Sequence, residues 1–169
     1  MNQGLTLIEL LVVIAIIAIL SSVLFLGKSG EEQKLVLERS TYQLAQNLRE
    51  AQEMAMGAEE KDCDGTKTYN FGIYFEVAST AYYLFADCNN DKIYNSLNDK
   101  LLKEIELEKG VQIQSLLPSS PLSVVFSPPD PICYINGEGW GSEGIVTLSF
   151  ETNMRQVKIN SAGRIEILD

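Results

Sequence analysis

The sequence predicts an α+β fold, in which a long N-terminal α-helix packs on a C-terminal antiparallel β-sheet domain. Three patterns support this prediction: an almost unbroken apolar run over residues 5–26, a helical period over residues 31–56, and alternation of apolar and polar residues beyond residue 68. The predicted division of the chain is a leader at 1–4, a hydrophobic helix at 5–30, an amphipathic helix at 31–57 and a globular β-domain at 58–169.

The composition excludes several classes of function. The net charge of −10, with scattered Lys and Arg residues, argues against a surface that binds nucleic acid. The sequence contains no histidine, so Ser-His-Asp and Cys-His catalysis and the commonest zinc sites are excluded. We therefore expect a protein that is not an enzyme and has no cofactor, unless calcium binds as described below.

The apolar run is long enough for a transmembrane helix. Of its 22 positions, Leu5–Leu26, four are polar: Thr6, Glu9, Ser21 and Ser22. Such a helix extends about 33 Å, and a bilayer core is about 30 Å thick. A cleavable secretory signal is disfavoured, because residues 1–4 contain no Lys or Arg.

Glu9 is the unusual residue of this run. A carboxylate at the centre of a bilayer costs about 2.5–3.5 kcal/mol, and less near an edge. No basic residue lies three or four positions away on the same helix. We therefore expect Glu9 to have a function that depends on a partner outside its own helix.

The segment Gly4–Leu20, GLTLIELLVVIAIIAIL, resembles the class III signal of type IV pilins and type II secretion pseudopilins. This resemblance implies that prepilin peptidase cuts between Gly4 and Leu5, that Leu5 is N-methylated, and that Thr6 and Glu9 act in assembly. It also implies a pilin-like fold. The sequence departs from the usual pattern at Leu5, where Phe is common, and in a leader without a basic residue.

The resemblance also implies partners and a location. The subunit would enter the inner membrane as a single-pass precursor and then join an extracytoplasmic pilus or pseudopilus with other subunits, in a homo- or hetero-filament. Prepilin peptidase and the inner-membrane assembly platform would be further partners. In the filament, Glu9 would neutralise the Leu5 amine of a neighbouring subunit, which offsets the desolvation of both charges.

The region after Gly30 has the period of an amphipathic helix that ends at Gly57. Its apolar stripe consists of Leu37, Thr41, Leu44, Leu48, Ala51 and Ala55. Strands are then predicted at 69–75, 81–86, 111–113, 122–126, 145–150, 155–159 and 164–168, the last three as a meander. The helix around 39–52 and the ending Asn160–Ile167 resemble GspH/FimT-type pseudopilins.

Three cysteines, Cys63, Cys88 and Cys133, lie beyond the apolar run. In an exported domain, one disulfide with one cysteine left over is the natural interpretation. Antiparallel pairing of 68–75 with 81–87 would bring Cys63 and Cys88 together, so this bridge is favoured. The other two pairings, and three reduced thiols, stay open.

Asp87, Asn89 and Asp91 alternate as calcium ligands do in a tight loop. Lys92, however, stands where a calcium loop of the EF-hand type has glycine, and the expected glutamate at the twelfth position is absent. An ordinary Asx-rich turn explains the same residues and is favoured. The charged run around Glu104, Glu106 and Glu108 is interpreted as a solvated segment.

Two other functions remain open at this stage. One is a minor pilin whose exposed domain binds a ligand such as DNA, which the acidic balance disfavours. The other is an anchored extracellular domain that does not assemble.

Overall fold

The structure is a computed structural model that describes residues 6–26, 28–129 and 132–168. The chain forms two compact units, one up to Leu35 and one from Val36. Helix α1 spans Leu7–Leu26 and is apolar on all sides, whereas helix α2 spans Lys28–Met56 and is amphipathic. The α+β fold class is confirmed.

Helix α2 buries the predicted stripe. All six stripe residues are at most 2% exposed. Thr41 is tolerated there because its hydroxyl donates to the Leu37 carbonyl oxygen at 2.7 Å, which satisfies the buried polar group. The helix ends where Gly57 N donates to the Glu53 carbonyl oxygen, but the residue with a left-handed backbone is Ala58, at φ 49°.

The described part of the domain has eleven strands: β1 (Lys61–Cys63), β2 (Thr66–Thr68), β3 (Phe71–Phe75), β4 (Ala81–Ala86), β5 (Lys100–Glu106), β6 (Gln112–Leu117), β7 (Leu122–Ser127), β8 (Ile132–Ile135), β9 (Glu143–Phe150), β10 (Asn153–Asn160) and β11 (Ile165–Leu168). All their pairings are antiparallel.

These strands form more than the one sheet expected. A five-stranded sheet has the order β5-β4-β3-β7-β8, a four-stranded sheet has the order β11-β10-β9-β6, and β1 and β2 form a separate hairpin. The chain leaves the first sheet after β5, contributes β6 to the second sheet, and returns as β7. The predicted meander of the last three strands is confirmed as β9-β10-β11.

The charged run that was interpreted as a solvated segment is largely exposed, and its backbone forms a strand that was not predicted. Residues Lys100–Glu106 form β5, an edge strand paired with β4, and Glu108 follows the strand. Most of its side chains are exposed, but Ile105 is 4% exposed. Charged side chains suit an edge strand because they discourage pairing with another chain.

Side chains of α2 and both larger sheets share one hydrophobic core. Asn47 of α2 donates to the Tyr82 hydroxyl of β4 at 2.7 Å, and Gln52 of α2 donates to the Gly163 carbonyl oxygen beside β11 at 3.1 Å. The C-terminal part of α2 is therefore held by both sheets.

Candidate functional site

Thr6 and Glu9 form a capping box at the start of α1. The Thr6 backbone N and hydroxyl both donate to Glu9 Oε2, at 2.9 and 2.7 Å, and Glu9 N donates to the Thr6 hydroxyl oxygen at 3.3 Å. This reciprocal arrangement satisfies backbone donors that the first helical turn leaves without partners. It also holds the carboxylate near the positive end of the helix dipole.

The apolar side chains of α1 up to Leu20 are exposed. Leu7 and Ile8 are 82% and 71% exposed, and a shallow apolar depression beside the carboxylate is lined by Ile8, Glu9, Val12 and Val13. A contiguous exposed apolar surface of this kind marks a site of interaction with protein or lipid. This surface and the capping box are the candidate functional site.

The predicted processing residues Gly4 and Leu5 lie outside the described residues. Cleavage between them and methylation of Leu5 stay predictions, as does the pairing of the Leu5 amine with Glu9. Within residues 6–26, 28–129 and 132–168, no helix combines the length and apolarity that crossing a membrane requires.

A disulfide joins Cys63 to Cys88, the pairing that the sequence favoured, with their Cα atoms 5.7 Å apart. Cys63 ends β1 and Cys88 lies two residues beyond the end of β4, so the bond ties the small hairpin to the five-stranded sheet. Cys133 is a free thiol in the core, and burial raises its pKa to about 12. A thiol with so high a pKa is almost entirely protonated at neutral pH and is unreactive.

The side chains of the predicted calcium ligands make contacts within the protein. Asp87 is fully buried, whereas Asn89 and Asp91 are more exposed and bond each other, with Asn89 Nδ2 donating to Asp91 Oδ2 at 2.6 Å. Asp91 Oδ1 accepts from Ile93 N at 2.9 Å. Among the residues the structure describes, no group of three or more acidic, Cys or His side chains is arranged to hold a metal ion.

Asp99 organises the end of this loop. Its carboxylate accepts from Cys88 N at 3.0 Å and from Asn95 N at 2.7 Å. Burial raises the pKa of the Asp99 carboxyl, although these two backbone donors oppose the shift. The carboxylate therefore closes the loop through backbone amides, beside the disulfide.

Sequence reasoning missed two features of these sites. It assigned Thr6 and Glu9 to assembly but did not recognise their capping box, although the spacing Thr-x-x-Glu before an apolar run is its known signal. It also noted Lys92 without foreseeing that this side chain is buried beside Asp87. No local pattern indicates the burial of a lysine, since burial depends on strands that are distant in sequence.

Comparisons with known proteins give a match to an N-terminal motif and a similar structure. The prokaryotic N-terminal methylation motif matches residues 1–25. The minor pseudopilin EpsH from the type II secretion system of Vibrio cholerae is similar in structure, with 14% sequence identity, coverage of 79% of this chain and 95% of that chain, and a TM-score of 0.48. No curated protein matches the sequence. The match to the methylation motif covers the N-terminal 25 of the 169 residues.

Proposed function

We propose that this chain is a structural subunit of a type IV pilus or of a type II secretion-like pseudopilus, with a GspH/FimT-like domain. The observation that carries the proposal is the N-terminal motif over residues 1–25, in which a carboxylate opens an apolar helix. Pilins and pseudopilins are structural subunits, and we propose no catalytic role for this chain.

The proposed maturation begins with prepilin peptidase, which cuts between Gly4 and Leu5. The new amine on Leu5 is then N-methylated. Before cleavage, the Leu5–Leu26 segment holds the precursor in the inner membrane as a single-pass protein. After cleavage, the assembly platform moves the subunit into an extracytoplasmic filament.

Assembly would use the apolar surface of α1 and the charge of Glu9. Packing against the α1 helices of other subunits removes the exposed apolar side chains from water or lipid. The Glu9 carboxylate then needs a compensating charge, because an unpaired carboxylate in apolar surroundings is costly. The Leu5 amine of a neighbouring subunit would supply that charge and set the register between subunits.

The capping box supports this mechanism in one specific way. Both Thr6 donors use Glu9 Oε2. Within residues 6–26, the other carboxylate oxygen has no hydrogen bond, so it is available to a group from outside the helix. Thr6 would thus orient the carboxylate, while the neighbouring amine would bind the remaining oxygen.

The experiment separates the charge of Glu9 from its role in the cap. Glu9→Gln removes the charge and keeps the side-chain oxygen that the capping box uses. Glu9→Ala removes both, and Thr6→Ser keeps the cap as a matched control. Cleavage after Gly4 is followed by mass spectrometry of the mature N-terminus, and assembly by the yield of sheared filaments.

We expect both Glu9 variants to lose at least about ten-fold in filament yield, a change that corresponds to about 1.4 kcal/mol. Thr6→Ser should assemble as the natural chain does. Wild-type filament yield from Glu9→Gln would refute the charge pairing. A mature protein that begins at Met1 would refute the proposed processing.

A further inference from the structure

Lys92 is a charged residue in an unfavourable position for its type. Its side chain is 11% exposed, and its backbone has φ 66°, in the left-handed region that favours glycine. Lysine is almost never buried unless it is paired. Both the burial and the backbone conformation therefore require a compensating interaction.

The interaction is with the loop's own oxygen atoms. Lys92 Nζ donates to Asp87 Oδ2 at 3.4 Å and to the side-chain oxygen of Asn90, and Lys92 N donates to the same Asp87 oxygen at 3.3 Å. The ammonium also lies over the ring of Tyr134 in β8, 5.4 Å from its centre, at a cation–π distance. The loop after β4 is thereby tied to the opposite edge strand of the same sheet.

Asp87 needs this cation. It is fully buried, and its Oδ1 has no hydrogen-bond partner among the described residues. Its backbone is held independently, because Asp87 N donates to the Asn70 carbonyl oxygen at 3.0 Å and the Thr68 hydroxyl donates to the Asp87 carbonyl oxygen at 2.7 Å. The carboxylate therefore has little freedom to turn towards solvent, and a buried carboxylate requires a countercharge.

Calcium does not fit this loop as well as the ammonium does. Calcium takes six to eight oxygen ligands, but the side-chain oxygens of Asn89 and Asp91 are engaged in bonds within the turn. The Asp87 carboxylate pairs with Lys92 instead of joining the side chains of Asn89 and Asp91. Lys92 stands where a calcium loop of the EF-hand type has glycine. Its charge neutralises Asp87, the first residue of the calcium-like pattern.

We propose that the Lys92 ammonium is the loop's built-in cation: it takes the place of a calcium ion, so that residues 87–92 fold without a metal. A covalently attached cation is present at every calcium concentration. The domain would therefore keep the same stability with calcium and without it.

The test measures thermal unfolding of the full chain in detergent by circular dichroism. Lys92→Met removes the charge and keeps most of the stem, Asp87→Asn removes the partner's charge, and the double variant removes both. Lys67→Met is the matched control, because Lys67 forms an exposed ion pair with Glu60 at 2.7 Å. Each protein is unfolded with chelator and with CaCl₂ or MgCl₂ at about 5 mM, above the dissociation constants of weak extracellular calcium sites.

We expect Lys92→Met to lower the unfolding midpoint by roughly 5 °C or more, because it leaves a buried carboxylate unpaired. Lys67→Met should lower it by less than roughly 2 °C. The double variant should lose less than the sum of the two single variants, since the two charges act on each other. Neither calcium nor magnesium should shift the midpoint of the natural chain.

Three results would overturn the proposal. One is stabilisation of the natural chain by calcium but not by magnesium, and another is a Lys92→Met midpoint equal to that of Lys67→Met. If Lys92→Met does not fold, the double variant with Asp87→Asn tests the proposal in its place. A folded double variant supports the pairing, and an unfolded one overturns it.

Discussion

The two helices of this protein differ in the exposure of their apolar side chains. In α1, Leu10 and Ile14 are more than half exposed, whereas in α2, Leu44 and Leu48 are fully buried against the sheets. The hydrophobic effect favours burial of the apolar side chains of both helices, but of these four residues only those of α2 are buried within the chain. The core of the domain therefore includes α2, whereas the apolar side chains of α1 stay exposed.

The largest expected loss of stability comes from truncating a side chain with which α2 packs into the core. Leu48→Ala should reduce the free energy of unfolding by about 3 kcal/mol, through lost burial and a cavity. Leu35→Ala is the matched control on the same helix, because Leu35 is 53% exposed and its truncation should change stability by less than about 0.5 kcal/mol. Denaturant unfolding of the full chain in detergent measures both, and equal losses would contradict the assignment of the buried face.

A smaller effect tests how well the domain core excludes water. Burial raises the pKa of the Cys133 thiol from 9.0 to about 12, so the folded thiol stays protonated while the unfolded chain releases its proton above pH 9. The raised pKa therefore favours folding below pH 9, and this contribution declines as pH rises towards 12. Between about pH 8 and pH 10, the loss should be about 1.3 kcal/mol.

Cys133→Ala identifies the group responsible for that loss. The cost of the cavity is the same at every pH, so the variant should lower stability uniformly and show a shallower decline on the alkaline side. Denaturant unfolding at several pH values checks this for both proteins. Parallel curves would mean that the Cys133 thiol ionises as readily in the folded chain as in the unfolded one.

The smallest expected effect on stability is that of a substitution in α1, which tests whether this helix packs within its own chain. Ile14→Ala truncates a side chain that is 58% exposed, so the unfolding midpoint of the domain should stay unchanged. Filament yield should fall, because under the proposed function this surface packs between subunits. A loss of domain stability like that of Leu48→Ala would show that α1 packs within its own chain.

The sequence predicted well the elements whose pattern is local. The stripe of α2 has a clear helical period, and its buried face and the end at Met56 were both foreseeable. The meander β9-β10-β11 alternates with period two and has turn residues between its strands. Its connections are short, so neighbouring strands in sequence also pair in space.

The sequence predicted poorly the elements that depend on distant neighbours. Strand β5 has too many charges to show alternation, because an edge strand with little buried surface needs few apolar residues. The separation of β6 from β5 into another sheet has no local signal. The segment around Lys92 likewise has the composition of a solvated turn. The burial of Lys92 follows from the position of Tyr134 on β8.

The sequence by itself determined the fold class, the apolar nature of α1, the carboxylate at its start and the favoured pairing of Cys63 with Cys88. These follow from composition and from patterns within one segment or one hairpin, which act at short range along the chain. Only the tertiary structure decided the division into two sheets and the use of Lys92 as partner of a buried carboxylate. Both depend on which distant strands lie side by side, because burial and charge pairing are set by neighbours in space.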